Sequence, residues 1–189
     1  MDQVERYLRR GERICWQGET GRFRLLEPDV RGLVLGKWVG TGAAGAALLA
    51  LYLGEQAWNP WAAGAILLGT CLLLLSPVLE WDELRGQRYW MTDQRVLVMT
   101  KDRRLYAMER REVRYIRVVR RRDGQDCLVL SRDGFPEAEG QLRWYACHPK
   151  SRQHRGEAEA RPVGLVLYGV QNADEALDCL EGWDGPTAA

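Results

Sequence analysis

Two apolar runs, 33–53 and 61–79, follow each other near the N-terminus, with only the seven residues from Gly54 to Pro60 between them. Each approaches the roughly 20 residues that a helix needs to cross a hydrocarbon core of about 30 Å. The first run holds one charge, Lys37, about a turn from its start, where the aliphatic stem can carry the ammonium back to the headgroups. The second holds none. A chain of 189 residues cannot enclose two such helices in sequence and still supply the polar shell of a soluble domain. The pattern therefore predicts a transmembrane helical hairpin over residues 32–80, preceded by a polar segment, 1–31.

The flanks agree. Trp38 and Trp81 sit at one boundary and Tyr52, Trp58 and Trp61 at the other, where amphipathic rings belong at membrane–water interfaces. Arg22, Arg24, Arg31 and Lys37 lie at or before the start of the first span, Arg85 and Arg88 follow the second, and the connecting loop carries only Glu55. Because basic residues stay on the cytoplasmic side, this asymmetry predicts a multi-pass protein of the cytoplasmic (inner) membrane with both termini cytoplasmic. The charge-rich first 31 residues lack the apolar core of a cleaved leader. Within the hairpin, Gly36, Gly40 and Ala44 repeat at four-residue spacing, as do Gly42, Ala46 and Ala50, and the second span offers Ala65 and Gly69. Such stripes let helix backbones approach closely, which predicts packing of the two spans on each other or on a partner's helix.

From Arg88 onward the pattern switches to period two. Strands are predicted at 88–92, 95–100, 105–108, 113–120, 127–131, 142–147 and 163–170. Turn signals between them (Thr92-Asp93, Lys101-Asp102, Asp123-Gly124, Asp133-Gly134) favour an antiparallel meander over βαβ units. One helix closes the series: Asn172 is placed as N-cap with Glu175 three residues on, Ala173, Ala176, Leu177 and Leu180 form an apolar face, and Gly182 follows. The polar insertion at 133–162 is expected to hold a mobile loop over 149–161, and 184–189 a disordered tail. Fold class is thus α+β: a membrane hairpin, then a seven-stranded antiparallel sandwich or barrel capped by a C-terminal helix, over 81–183.

Composition narrows the chemistry. Net charge is +1, so no global field draws the chain to polyanions, and no groove-reading helix is visible; nucleic acid is not an expected partner. The five cysteines, Cys15, Cys71, Cys127, Cys147 and Cys179, are odd in number and scattered, which predicts free thiols in a reducing compartment. No CxxC, HExxH, GxSxG or phosphate-loop pattern occurs. Cys147 and His148 are the candidates for a thiol nucleophile and base, and with His154 for a metal site. Neighbours on a strand point to opposite faces, and both histidines border or occupy the polar insertion, so neither catalysis nor a cofactor or metal is expected.

Charge is unevenly spread. Residues 95–122 hold eleven bases against three acids, a net of +8, whereas 133–189 hold five bases against ten acids, a net of −5. Arg103, Arg104, Arg117, Arg120, Arg121 and Arg122 are the candidate residues for contact with anionic lipid headgroups or an acidic partner; solvated turns and edges account for the same run equally well.

Two short motifs remain: Gly11-Glu12-Arg13-Ile14-Cys15-Trp16-Gln17-Gly18 before the hairpin, and Tyr89-Trp90-Met91-Thr92-Asp93-Gln94-Arg95 after it. In the second, Thr92 and Asp93 supply acceptors for a hairpin turn, and Arg95 can pair with Asp93 or a neighbouring carboxylate. Together with Val113 to Val118 and Asp123-Gly124, these resemble the landmarks of the bacterial PH-domain membrane proteins, and the resemblance covers nearly the whole chain apart from the long insertion at 133–162. It implies a pleckstrin-homology-like head and a non-enzymatic binding or scaffolding role, such as accessory or assembly factor of a larger membrane complex. The implied partners are membrane lipids and a membrane protein, with room for a homo-oligomer. Lipid sensing without a protein partner, and a thiol- or metal-dependent enzyme built on Cys147 and His148, are the alternatives.

Overall fold

The computed structural model describes residues 3–55, 59–122, 124–132, 141–149, 151–152 and 161–181. The chain divides into two compact units: Phe23–Asp82, and a head made of Met1–Arg22 with Glu83–Ala189.

The first unit is a helical hairpin, α1 (Arg31–Glu55) and α2 (Pro60–Leu84), which contains both predicted spans. Both helices are long and apolar enough to cross a membrane, and only 11% of either apolar window is buried, unlike the core helix of a soluble domain. Asn59 starts α2 by accepting the Trp61 amide on Oδ1 at 3.0 Å, with Pro60 in the first helical position, where its missing N–H costs nothing. Pro77 removes one amide from the helix interior. The Ser76 hydroxyl donates to the Leu73 carbonyl (2.8 Å) that this proline leaves without its usual donor, and the Trp38 indole donates to the Leu74 carbonyl (2.9 Å). Thr70 returns its hydroxyl to the Ile66 carbonyl at 2.8 Å. The Lys37 ammonium is 3.8 Å from the Glu80 carboxylate. These polar groups are therefore met within the hairpin, as a hydrocarbon environment demands.

The seam between the two helices differs from the predicted one. Gly36, Gly40, Ala44, Ala65 and Gly69 all lie on exposed faces, and an added Cβ at Gly36, Gly40 or Gly69 would meet nothing within 4 Å. The close approach is at Gly45, where a Cβ would come within 2.5 Å of Thr70 Oγ1. On α1 the least exposed positions are Val34, Trp38, Thr41, Gly42, Gly45, Leu49 and Tyr52, a helical stripe that mixes large and small residues. Several stripes of small residues run along this segment; the one carrying Trp38, whose indole finds an acceptor on α2, is the one that packs.

In the head, β1 (Ile14–Glu19), β2 (Arg88–Thr92), β3 (Arg95–Met99) and β4 (Leu105–Glu109) form one antiparallel sheet in that order. A second antiparallel sheet has the order β5 (Tyr115–Val119), β6 (Asp126–Ser131), β9 (Gly164–Val170), and a minimal ladder pairs β7 (Ser151–Arg152) with β8 (Arg161–Pro162). Seven strands thus split four and three, and among the described residues no ladder closes them into a barrel. The seventh is β1: the N-terminal segment, whose place the sequence left open, supplies the first strand and pairs with β2 from Glu19↔Arg88 to Ile14↔Thr92.

The predicted strand at Leu142–Cys147 is instead a short helix, α3. Arg143, Tyr145, Ala146 and Cys147 are buried while Trp144 is exposed, a pattern with no period of two, and the Gln87 side-chain amide donates to the Ala146 carbonyl at 2.9 Å. The predicted last helix is α4 (Ala173–Glu181). The Asn172 amide nitrogen donates to the Glu175 carboxylate at 3.1 Å, and its backbone is left-handed (φ 58°). Asp123, 133–140, His154 with most of the predicted loop, Trp58, Gly182 and the 184–189 tail lie outside the described residues.

The core lies between the sheets. Trp16, Tyr89, Met91, Val96, Val98, Tyr106 and Met108 face Leu128, Leu130, Leu165, Leu167 and Val170, and α4 adds Ala173, Ala176 and Leu180. The opposite face of the first sheet is buried too: Trp90, Leu97, Met99, Leu105 and Ala107 pack with Val4 of a 3-10 turn (Gln3–Tyr7), with Leu8 and Ile14 beside them. Cys15 and Cys179 are joined by a disulfide with Cα atoms 6.1 Å apart, which corrects the expectation of five free thiols; Cys71, Cys127 and Cys147 are in no disulfide. Scattered spacing along the chain concealed a pair that the fold brings together.

Candidate functional site

The two sequence motifs meet in the head. Arg95 is fully buried, and its guanidinium donates from Nε to Glu12 Oε1 (2.9 Å) and from Nη2 to Glu12 Oε2 (3.1 Å) and the Tyr7 carbonyl (2.6 Å). The Thr92 hydroxyl donates to Glu12 Oε1 at 2.7 Å and accepts the Gln94 and Arg95 amides, closing the β2–β3 turn. Asp93, the sequence's first candidate partner for Arg95, accepts the Arg13 amide instead. Burial works against the ionised form of Glu12, but hydrogen bonds from Arg95, the Arg9 amide and Thr92 outweigh it and hold the carboxyl below its ordinary range. Trp16 enters the core over Gly18, where a Cβ would stand 2.4 Å from the indole. The Tyr89 hydroxyl donates to Gln87 (3.0 Å), accepts the Tyr168 amide (3.2 Å) and shares a hydrogen bond with Thr20 (2.8 Å); burial pushes its phenol well up, so it stays protonated. Glu12, Tyr89, Thr92 and Arg95 are buried and hydrogen-bonded, and together they lock the segment before the hairpin onto the strands after it.

The six arginines picked from the sequence fall in three places. Arg103 and Arg104 lie in the β3–β4 turn, where Arg103 is exposed in a left-handed conformation (φ 65°) and Arg104 pairs with Asp102 at 2.7 Å. A hydrogen bond from the Thr100 hydroxyl, with the neighbouring Arg104 charge, keeps the Asp102 carboxyl low despite a small desolvation. Arg117 is exposed on β5, an edge strand paired with β6 alone among the described residues. Arg120, Arg121 and Arg122 follow β5, and their environments differ. Arg120 bridges Asp126 and Asp174, each at 2.6 Å, which ties the β5–β6 turn to α4. Arg121 lays its guanidinium over the Tyr168 ring, 4.8 Å from the centroid. Arg122 is exposed. With Arg95 buried on Glu12 as well, the basic run contributes less outward charge than its composition indicates. Asp126 and Asp174, the acids that engage Arg120, escaped the sequence argument because each lies outside the basic run.

A half-open polar cavity of about 580 Å³ lies beside β1 and the start of α4, lined by Gln17, Glu19, Thr20, Arg22, Arg88 and Glu175 among others. Arg88 and Glu19 pair across it at 3.3 Å, both exposed. Nothing in the sequence marked these residues as sharing a cavity, because it exists only once β1 pairs with β2.

Cys147 is buried at the end of α3, whereas the exposed His148 ring stacks on Trp144 (centroids 5.4 Å apart) with Nδ1 3.3 Å from the Trp144 carbonyl. No group of three or more metal-ligating side chains occurs among the described residues. No family model, curated protein or solved structure matches the chain.

Proposed function

We propose that the protein is a non-enzymatic, membrane-anchored binding module of PH-like plan that helps to assemble or hold a larger membrane complex. The observation that carries this reading is topological. β1 and β2 are neighbours in one sheet, and the chain leaves the head after β1 and returns at β2 by way of two helices long and apolar enough to cross a membrane. If those helices span, both ends of the head lie on one side, and the basic residues flanking them argue for the cytoplasmic face of a bacterial inner membrane.

Two surfaces suit a partner. The stripe of Gly36, Gly40 and Ala44 is turned away from the hairpin's own seam, so a partner's helix can approach closely there. On the head, Arg103, Arg117 and Arg122 are exposed members of the basic set. The test is co-purification from native membranes in mild detergent. A membrane protein recovered with the wild type, and lost with the Arg103→Ser/Arg117→Ser/Arg122→Ser variant or with Gly40→Leu, supports the module. Failure to recover any protein, combined with binding to anionic vesicles that weakens in the triple variant, by about 1 kcal/mol per arginine, replaces it with lipid sensing. Wild-type behaviour of both variants in both assays makes these surfaces solvated only.

A further inference from the structure

We propose that Cys15 and Cys179 form a reversible thiol–disulfide exchange site whose bond fastens α4 to β1 and which dithiols open. The two cysteines lie 164 residues apart in sequence, on the first strand and the last described helix of the head, with Cα atoms 6.1 Å apart, inside the roughly 4.4–6.8 Å that a disulfide needs. Their surroundings differ from those of the other thiols. Cys15 is exposed on β1, the edge of the four-stranded sheet, whereas Cys127 and Cys147 are buried and Cys71 lies within the apolar α2. Cys179 is partly buried against the core.

Helix α4 depends on this fastening. It has nine residues, fewer than the about 12–15 at which an isolated helix becomes even marginal in water. Its apolar anchorage is Ala173, Ala176 and Leu180, two of them methyl-sized, helped by Leu177 and by the exposed Asp174–Arg120 pair. The bond therefore holds down a segment that would otherwise open locally.

Exchange is balanced by a dithiol. Its thiolate attacks the Cys15 sulfur, the S–S bond breaks, and the electron pair leaves on the Cys179 sulfur, which takes up a proton. The second thiol of the reagent then attacks the mixed disulfide and releases Cys15 as a thiol. The protein gains two electrons and two protons, and the reagent ends as its own disulfide. A small-molecule disulfide runs the sequence backward. On the cytoplasmic placement proposed above, the open pair is the resting form and closure reports oxidation. The chemistry itself is tested in vitro and stands or falls apart from that placement.

The experiment uses the full chain in lipid nanodiscs, treated with oxidised glutathione or with dithiothreitol, and reads alkylation by intact mass together with amide hydrogen exchange. The oxidised protein should leave Cys15 and Cys179 unalkylated. Dithiothreitol should make both reactive and speed exchange across 173–181 at least tenfold, while β6 is unchanged. Cys15→Ser, or Cys179→Ser should the first variant fold poorly, should show the fast exchange with or without dithiothreitol. Full alkylation of both cysteines after oxidation, equal exchange in the two states of the wild type, or a serine variant that still responds to dithiothreitol overturns the proposal.

Discussion

Glu12 and Arg95 are the residues on which the head's internal order turns. Both side chains are completely shielded from solvent, and the pair sits 83 positions apart in sequence, so it forms only when β1 has docked on β2. Removing one partner strands the other as an uncompensated buried charge, at a cost of about 3–5 kcal/mol. Glu12→Gln should therefore lower the head's unfolding free energy by about that much at neutral pH, read from urea titrations in micelles followed by near-UV circular dichroism. The pH dependence has a definite sign. The folded carboxyl titrates below its ordinary 4.5, so its contribution is complete above that value and fades as the pH drops through the folded value. The gap between wild type and Glu12→Gln should accordingly narrow in acid below pH 4.5 and stay constant above it. The motif residues themselves were legible in the sequence, and so was the role of Thr92 in its turn. The partner of Arg95 was not, because a local reading offers the adjacent Asp93, which the fold spends on the Arg13 amide.

At the scale of elements, periodic segments were legible, and those whose pairing or period is not local were not. Six strands, both long helices and α4 lie where alternation and apolar runs put them. Leu142–Cys147 has no spacing that decides between strand and helix, and its buried positions, Arg143, Tyr145, Ala146 and Cys147, do not alternate as a strand's would. β1 escaped because its pairing partner lies beyond the entire hairpin. The hairpin seam shows the same limit: four-residue spacing of small side chains identifies surfaces that can pack, not the one that does. Two substitutions separate these. Gly45→Leu places side-chain atoms where Thr70 stands and should destabilise the hairpin by about 1–3 kcal/mol, whereas Gly36→Leu, with open space around its Cβ, should leave it within about 0.5 kcal/mol. Thermal unfolding in micelles followed by far-UV circular dichroism measures both. Equal effects would mean that the seam runs elsewhere.

For the molecule as a whole, the informative feature is that a sheet is interrupted by an apolar hairpin between two adjacent strands. Such an insertion leaves the head's sandwich continuous while giving it two covalent connections to the helices, and it requires the residues before α1 and after α2 to share a side of any membrane the helices cross. The division of the seven strands into sheets of four and three was hidden from the sequence, since alternation reports which face a side chain takes and not which strand it pairs with. Charge shows a similar gap between composition and arrangement: of the eleven bases in 95–122, Arg95 is consumed in the core and Arg104 and Arg120 by nearby acids. Membrane sidedness is therefore the central claim to test. Cysteine is placed at Asn59, between the two apolar helices, or at Arg103 in the head, and each variant is labelled with a membrane-impermeant maleimide in sealed right-side-out vesicles against the background of the five native cysteines, measured on the wild type. Asn59→Cys should be labelled and Arg103→Cys protected until the vesicles are opened. Labelling of both positions from the same side would contradict it.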